Sequence, residues 1–261
     1  MNRRLLIPGL IVALVLLAAI VLMTAPNQAG NLAPLPGATR VSITPPARPS
    51  TRALAFGLDA TGDPAALAWF ESICRPGDWV ILRPQDVAAV ANLKCGTKTV
   101  IFNSYAEAAA ALPNLAGEIN AIGYDPEHRT QTPAAEQTDP VGALVKFDQL
   151  ATKNNLLTTI GPDRNFDVSN GVGFAPYVYQ YTLQLQQFGY DLPAIHKFSD
   201  GLIAQLRAAN PKIRIVAQLR ADLTVPQLLD IAHQVDLDGI SIIFNPDRLQ
   251  TVKDFVVAAH G

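Results

Sequence analysis

Ile119-Asn-Ala-Ile-Gly-Tyr-Asp125 is a short apolar run that closes on a carboxylate, and Leu156-Leu-Thr-Thr-Ile-Gly-Pro-Asp163 repeats the plan. Between them Asp139-Pro140 opens a helix-period segment, residues 141–154, so the order is strand, helix, strand. Runs of the same kind lie at residues 53–59, 79–83, 99–103, 177–180, 213–220 and 239–245, eight in all. Asp63-Pro64 opens a further helix over residues 65–73, and an amphipathic segment at 192–209 stops at Asn210-Pro211. Short β-branched runs alternating with crossover helices predict a parallel sheet. Eight such units within residues 51–261 predict an α/β fold, a compact (β/α)8 barrel of the TIM type. The alternative is an open doubly wound sheet, but no Gly-rich dinucleotide loop follows the first run.

Upstream of the barrel, residues 5–23 read LLIPGLIVALVLLAAIVLM, 19 residues without a charge. At about 1.5 Å per residue, a helix of that length nearly crosses a hydrocarbon core of roughly 30 Å. The run exceeds the roughly 7–15 apolar residues of a cleaved signal, so an uncleaved transmembrane anchor is expected, with a signal cleaved near Ala29 as the alternative. Arg3 and Arg4 precede it and no basic cluster follows, which places residues 1–4 in the cytoplasm and the barrel outside. Residues 24–50 hold six Pro and read as a Pro-rich extracytoplasmic linker. The expected location is therefore the cell membrane, single-pass, with the membrane itself as one partner.

Of 261 residues, 49% are apolar and only 16% charged. The first 50 contain four Arg and no Lys, Asp or Glu, which leaves 16 basic and 22 acidic residues in the body. A mildly acidic body argues against nucleic acid as a partner, because phosphate contacts need clustered Lys and Arg. The four His lack H-x-H or H-E-x-x-H spacing, so no metal is expected, and nothing implies a cofactor. Cys74 lies five residues before Trp79 and Cys95 four before Thr99. In a barrel these are equivalent positions at the bottom of adjacent strands, close enough to bridge; two buried free thiols are the alternative.

Alternation along the strands turns Ala121, Gly123 and Asp125 into the barrel, with Glu127 beyond them. The same rule turns Thr159, Gly161 and Asp163 inward, then Val216, Gln218 and Arg220, then Ser241, Ile243 and Asn245. Asp59, Arg83, Asn103 and Gln180 close the other runs, so every run ends on a polar residue where barrels keep their chemistry. Asp125 and Glu127, two residues apart, can shift each other's pKa, and one neutral acid beside an ionised one suits glycosidic bond cleavage. Asp163 supplies a third carboxylate. Tyr124, Tyr179, Tyr181 and Phe244 are aromatics for sugar stacking, and Gln218 and Arg220 donors for hydroxyls or a carboxylate. Asp163-Arg164 and the following residues to 173 read as a loop over the mouth or as an ordinary βα connection. No Gly-rich cradle follows the seventh or eighth run, which disfavours a phosphosugar.

Asn120-Ala-Ile-Gly-Tyr-Asp-Pro-Glu127 resembles the fourth-strand motif of chitinase-like glycoside hydrolases, D-x-x-D-x-D-x-E, and Tyr179-Gln180 is similar to the end of their sixth strand. The resemblance implies Glu127 as general acid, Asp125 as the group orienting a substrate acetamido, and Tyr179 as an assistant. Asn120 and Gly123 replace two acids of that motif, Pro126 replaces its aromatic, and the eighth run lacks the family's Trp. The expected function is a glycoside hydrolase acting on a polysaccharide or cell-wall glycan, with Asp125, Glu127 and Asp163 as catalytic residues. A catalytically silent glycan-binding barrel or an envelope scaffold is the alternative.

Overall fold

The computed structural model describes residues 54–59, 63–115, 117–128, 130–243 and 246–260. Eight strands, β1 (Ala55–Asp59), β2 (Trp79–Leu82), β3 (Thr97–Phe102), β4 (Ala121–Tyr124), β5 (Leu157–Ile160), β6 (Gln180–Gln184), β7 (Arg214–Arg220) and β8 (Gly239–Ile243), pair in sequence order into a closed parallel barrel. The β1–β8 pairing, which sets Ala55 opposite Gly239, shuts it. Around it lie α1 (Pro64–Ile73), α2 (Tyr105–Ala111), α3 (Ala134–Thr138), α4 (Pro140–Lys153), α5 (Arg164–Phe174), α6 (Leu192–Ala209), α7 (Val225–Gln234) and α8 (Leu249–His260). A 3-10 helix, Pro84–Val90, takes the place of a helix between β2 and β3.

Local chemistry starts these helices. Asp63, Asp139, Asp163 and Asp191 each accept hydrogen bonds from first-turn N–H groups, and Pro sits at the start of α1, α4 and α6. The outward faces of the strands form the main core: Phe56, Leu58, Val80, Phe102, Ile122 and Leu183 are buried against the helices. The inward faces are more polar and hold one large ring. Trp79 is 1% exposed and lies inside the barrel, in room left by two glycines. A Cβ at Gly57 would collide with the indole, and one at Gly239 would stand 3.0 Å from it and 2.6 Å from the Ala55 carbonyl. The Arg214 guanidinium lies 4.5 Å above the same ring.

At the N-terminal ends of the strands, the buried Asp78 carboxylate accepts hydrogen bonds from the Phe56 and Arg75 N–H groups, tying β1 to the approach of β2. Cys74 and Cys95 form a disulfide there, with Cα atoms 6.0 Å apart and a sequence separation of 21. Closing a loop of this size constrains the unfolded chain. Changing both Cys to Ser is expected to cost about 3 kcal/mol, read by calorimetry as a Tm lower by roughly 6–12 °C; an unchanged Tm would show that the bond is dispensable.

Two expectations need correction. The sixth strand lies at Gln180–Gln184 rather than 177–180, because Tyr177 closes a 3-10 turn and Gln180 pairs with Thr159 and Arg214. Residues 164–174 are helix α5 rather than an open loop: Asp163 caps it, and Phe166 and Phe174 bury one face. Among the described residues no helix is long and apolar enough to cross a membrane. The anchor at 5–23 and the linker at 24–50 lie outside the described residues.

Candidate functional site

Parallel pairing brings the C-terminal ends of all strands to one rim, where the inward-facing residues converge. Asp59 from β1 accepts a hydrogen bond from Gln218 of β7 at 3.4 Å. Asp125, just past β4, accepts one from Gln184 of β6 at 3.3 Å, and Gln184 also donates to the Gly161 carbonyl at 2.8 Å. Arg83, just past β2, lies 3.7 Å from Asp125. Burial pushes Asp59 up to about 6, against the pull of Arg83. It pushes Asp125 up to about 7, with Arg83 opposing and Glu127, Asp59 and Asp163 adding to the rise. The mouth therefore holds a carboxyl that exchanges a proton near neutrality, a mostly ionised neighbour and one guanidinium.

Glu127 is half-buried beyond Pro126, its N–H donating to Thr132 Oγ1 at 2.9 Å, and it acts on Asp125 through its charge. Asp163 holds the start of α5 through the N–H groups of Asn165 and Phe166 and clasps His128, whose N–H and Nδ1 lie 2.8 and 2.9 Å from Oδ2. Partial burial pushes its carboxyl up, but these partners outweigh that and hold it below the usual range, which suits an anchor rather than a proton donor. Asn103 lies just past β3, with its N–H donating to Glu107. Arg220 is exposed and paired with Asp222 at 3.3 Å. Arg164 stands over the rings of Phe188 and Phe198, and Asn245 lies outside the described residues.

Tyr124, Tyr179 and Gln180 are displaced from the expected site. Tyr124 is buried on the outer face of β4, against Phe147, and donates to Glu136 at 2.9 Å. Tyr179 and Gln180 precede or begin β6, at the opposite end of the barrel from the mouth, where Arg214 at the start of β7 donates to the Tyr179 hydroxyl. Gln184 holds the mouth position instead. Strict alternation from Gln180 through Thr182 reaches it once the strand is extended, so its signal was present in the sequence. His128 carries no sequence signal, since its link to Asp163 spans 35 residues.

No protein-family model matches the chain, and no curated protein matches its sequence. Solved structures do match. A putative deoxyribose-phosphate aldolase from Toxoplasma gondii is 10% identical with a TM-score of 0.53, over 79% of this chain and 93% of that one. A 3-keto-L-gulonate-6-phosphate decarboxylase from Vibrio cholerae is 9% identical with a TM-score of 0.50, over 80% and 98%. An HpcH/HpaI aldolase/citrate lyase family protein from Burkholderia cenocepacia is 12% identical, also at 0.50, over 81% and 96%. What is shared is the (β/α)8 fold.

These findings overturn the glycoside hydrolase reading. The three similar structures named above are a decarboxylase, a putative aldolase and a member of an aldolase/citrate lyase family, and the residues that carried the sixth-strand resemblance stand at the far end of the barrel. The silent glycan-binding barrel, the envelope scaffold and the cell-wall partner fall with it.

Proposed function

We propose that the chain is an enzyme of the aldolase or lyase type that acts on a small polar molecule at the barrel mouth, with Asp125 as the general base. The observation that carries this is the Asp59–Arg83–Asp125 group, in which a carboxyl at about 7 lies 3.7 Å from a guanidinium. A base is most useful when its pKa lies near the working pH, and Arg83 can balance negative charge that develops on a substrate oxygen. No inward-facing position of the eight described strands is Lys, so an imine route has no amine here and proton transfer is what the residues offer. The similar deoxyribose-phosphate aldolase and 3-keto-L-gulonate-6-phosphate decarboxylase are named for small-molecule substrates, which is in keeping with this reading.

The test is deuterium uptake from heavy water by small hydroxy acids, keto acids and sugar phosphates, followed by proton NMR with the wild-type chain. Catalysed exchange on one of these classes is the expected result. No exchange on any of them sinks the proposal.

A further inference from the structure

At the mouth, the Arg83 guanidinium keeps its donors unused. Its side chain is 39% exposed and so can be reached from solvent. The nearest described carboxylate, Asp125, lies 3.7 Å away, beyond hydrogen-bond reach, and Arg83 donates no side-chain hydrogen bond among the described residues. Two other guanidinium groups at this end of the barrel are engaged: Arg220 pairs with Asp222 at 3.3 Å, and Arg164 covers the rings of Phe188 and Phe198. A guanidinium presents five N–H donors in a planar fork, which matches the two oxygens of a carboxylate. The Asp125 side chain is itself 19% exposed, so a small molecule seated on Arg83 by a carboxylate stands within reach of the base.

We propose that the mouth recognises its substrate through a single carboxylate held on Arg83, which makes that substrate a small monocarboxylate such as a hydroxy acid or a keto acid rather than a sugar phosphate. Recognition of this kind rests on the mouth being the reacting site, as proposed above. One guanidinium beside the carboxyls of Asp59, Asp125 and Glu127 accommodates a single further negative charge more readily than the nearly two of a phosphate monoester. Barrels that bind phosphate collect N–H groups from the loops after the seventh and eighth strands and from a helix start nearby. Here the start of α7, the helix after β7, is closed by its own residues: a capping box joins Thr224 to Gln227, whose Oε1 accepts the Thr224 N–H at 2.9 Å, and Pro226 has no N–H to offer. The start of α5 is likewise filled, by Asp163.

The probe is lactate, titrated into the full chain with amide NMR shifts at the ends of β2 and β4 as the readout, beside lactamide, its uncharged counterpart, and glycerol 3-phosphate. Saturable shifts with lactate, at least about tenfold tighter than with either control, are expected. Arg83→Gln removes no hydrogen bond from the fold, so it should keep the wild-type Tm while weakening lactate binding at least about tenfold. The proposal is overturned by absent lactate binding, by equal binding of lactamide or glycerol 3-phosphate, or by undiminished lactate binding to a folded Arg83→Gln chain. Deuterium exchange confined to sugar phosphates would overturn it and leave the aldolase or lyase reading in place. Arg83-dependent lactate binding with no exchange on any substrate would sink that reading and leave carboxylate recognition standing.

Discussion

Asp125→Asn is expected to lower proton-exchange turnover by at least about 100-fold, the lower end of what a positioned acid–base group contributes. The amide keeps the shape of the carboxyl and its place past β4, but it cannot take up a proton. Because Asp125 acts as a base, wild-type kcat/KM should rise with pH through about 7, where the carboxyl ionises, and that inflection should vanish in the variant. The variant should fold normally. A carboxyl held above its usual value is held there at a cost to folding near neutrality, so an uncharged amide leaves the Tm equal or higher. A well-folded variant with wild-type turnover would remove Asp125 from the chemistry.

Trp79→Ala is expected to destabilise the barrel by about 3–5 kcal/mol, a large share of the roughly 5–15 kcal/mol that holds a typical domain together. The indole is 1% exposed and fills the interior beside Gly57 and Gly239, which have no side chains to swing into the void. Its loss also takes the ring from beneath Arg214, whose Nη2 already lacks a hydrogen-bond partner among the described residues. Urea unfolding measures the effect. Trp79→Phe, which keeps part of the volume and a ring for the cation, should lose clearly less, whereas a loss below about 1 kcal/mol for Ala would mean that the interior collapses to close the gap.

Buried Asp167 links stability to pH. Its folded pKa of about 8 lies above the usual 3.8, so between these values the folded chain holds a proton that the unfolded chain has released. Stability is therefore full below about 4 and declines as pH rises toward 8. Thermal scans at pH 5 and pH 8 should show a higher Tm at pH 5, with a smaller difference in Asp167→Asn. Equal differences in the two proteins would place the linkage elsewhere. Asp59 and Asp125, also raised, act with the same sign.

Within residues 54–261, the elements that local chemistry controls were legible. Asp-Pro pairs at 63–64 and 139–140 start helices because the carboxylate satisfies first-turn N–H groups and Pro has no N–H to leave unpaired. Alternation turned Asp125 inward because the strand period is two. The sixth strand was misplaced because Tyr177-Val-Tyr is as strand-like as Gln180-Tyr-Thr-Leu-Gln184, and the choice between them rests on pairing with β5 and β7. Helix α5 was obscured by Gly171 and Gly173, which argue locally for a loop, while burial of Phe166 and Phe174 argues for a helix.

By itself the sequence determined the alternation of strands and helices, the polar strand ends and the sites of the helix caps, since each depends on residues within a turn or two of one another. Only the tertiary structure decided which polar ends meet. Asp59 reaches Gln218 across 159 residues and Asp125 reaches Gln184 across 59, and it is barrel closure that brings these groups to one rim and withdraws them from water. Proton affinity follows that desolvation, which no local pattern records, so the raised carboxyls belong to the fold and not to the motif around them.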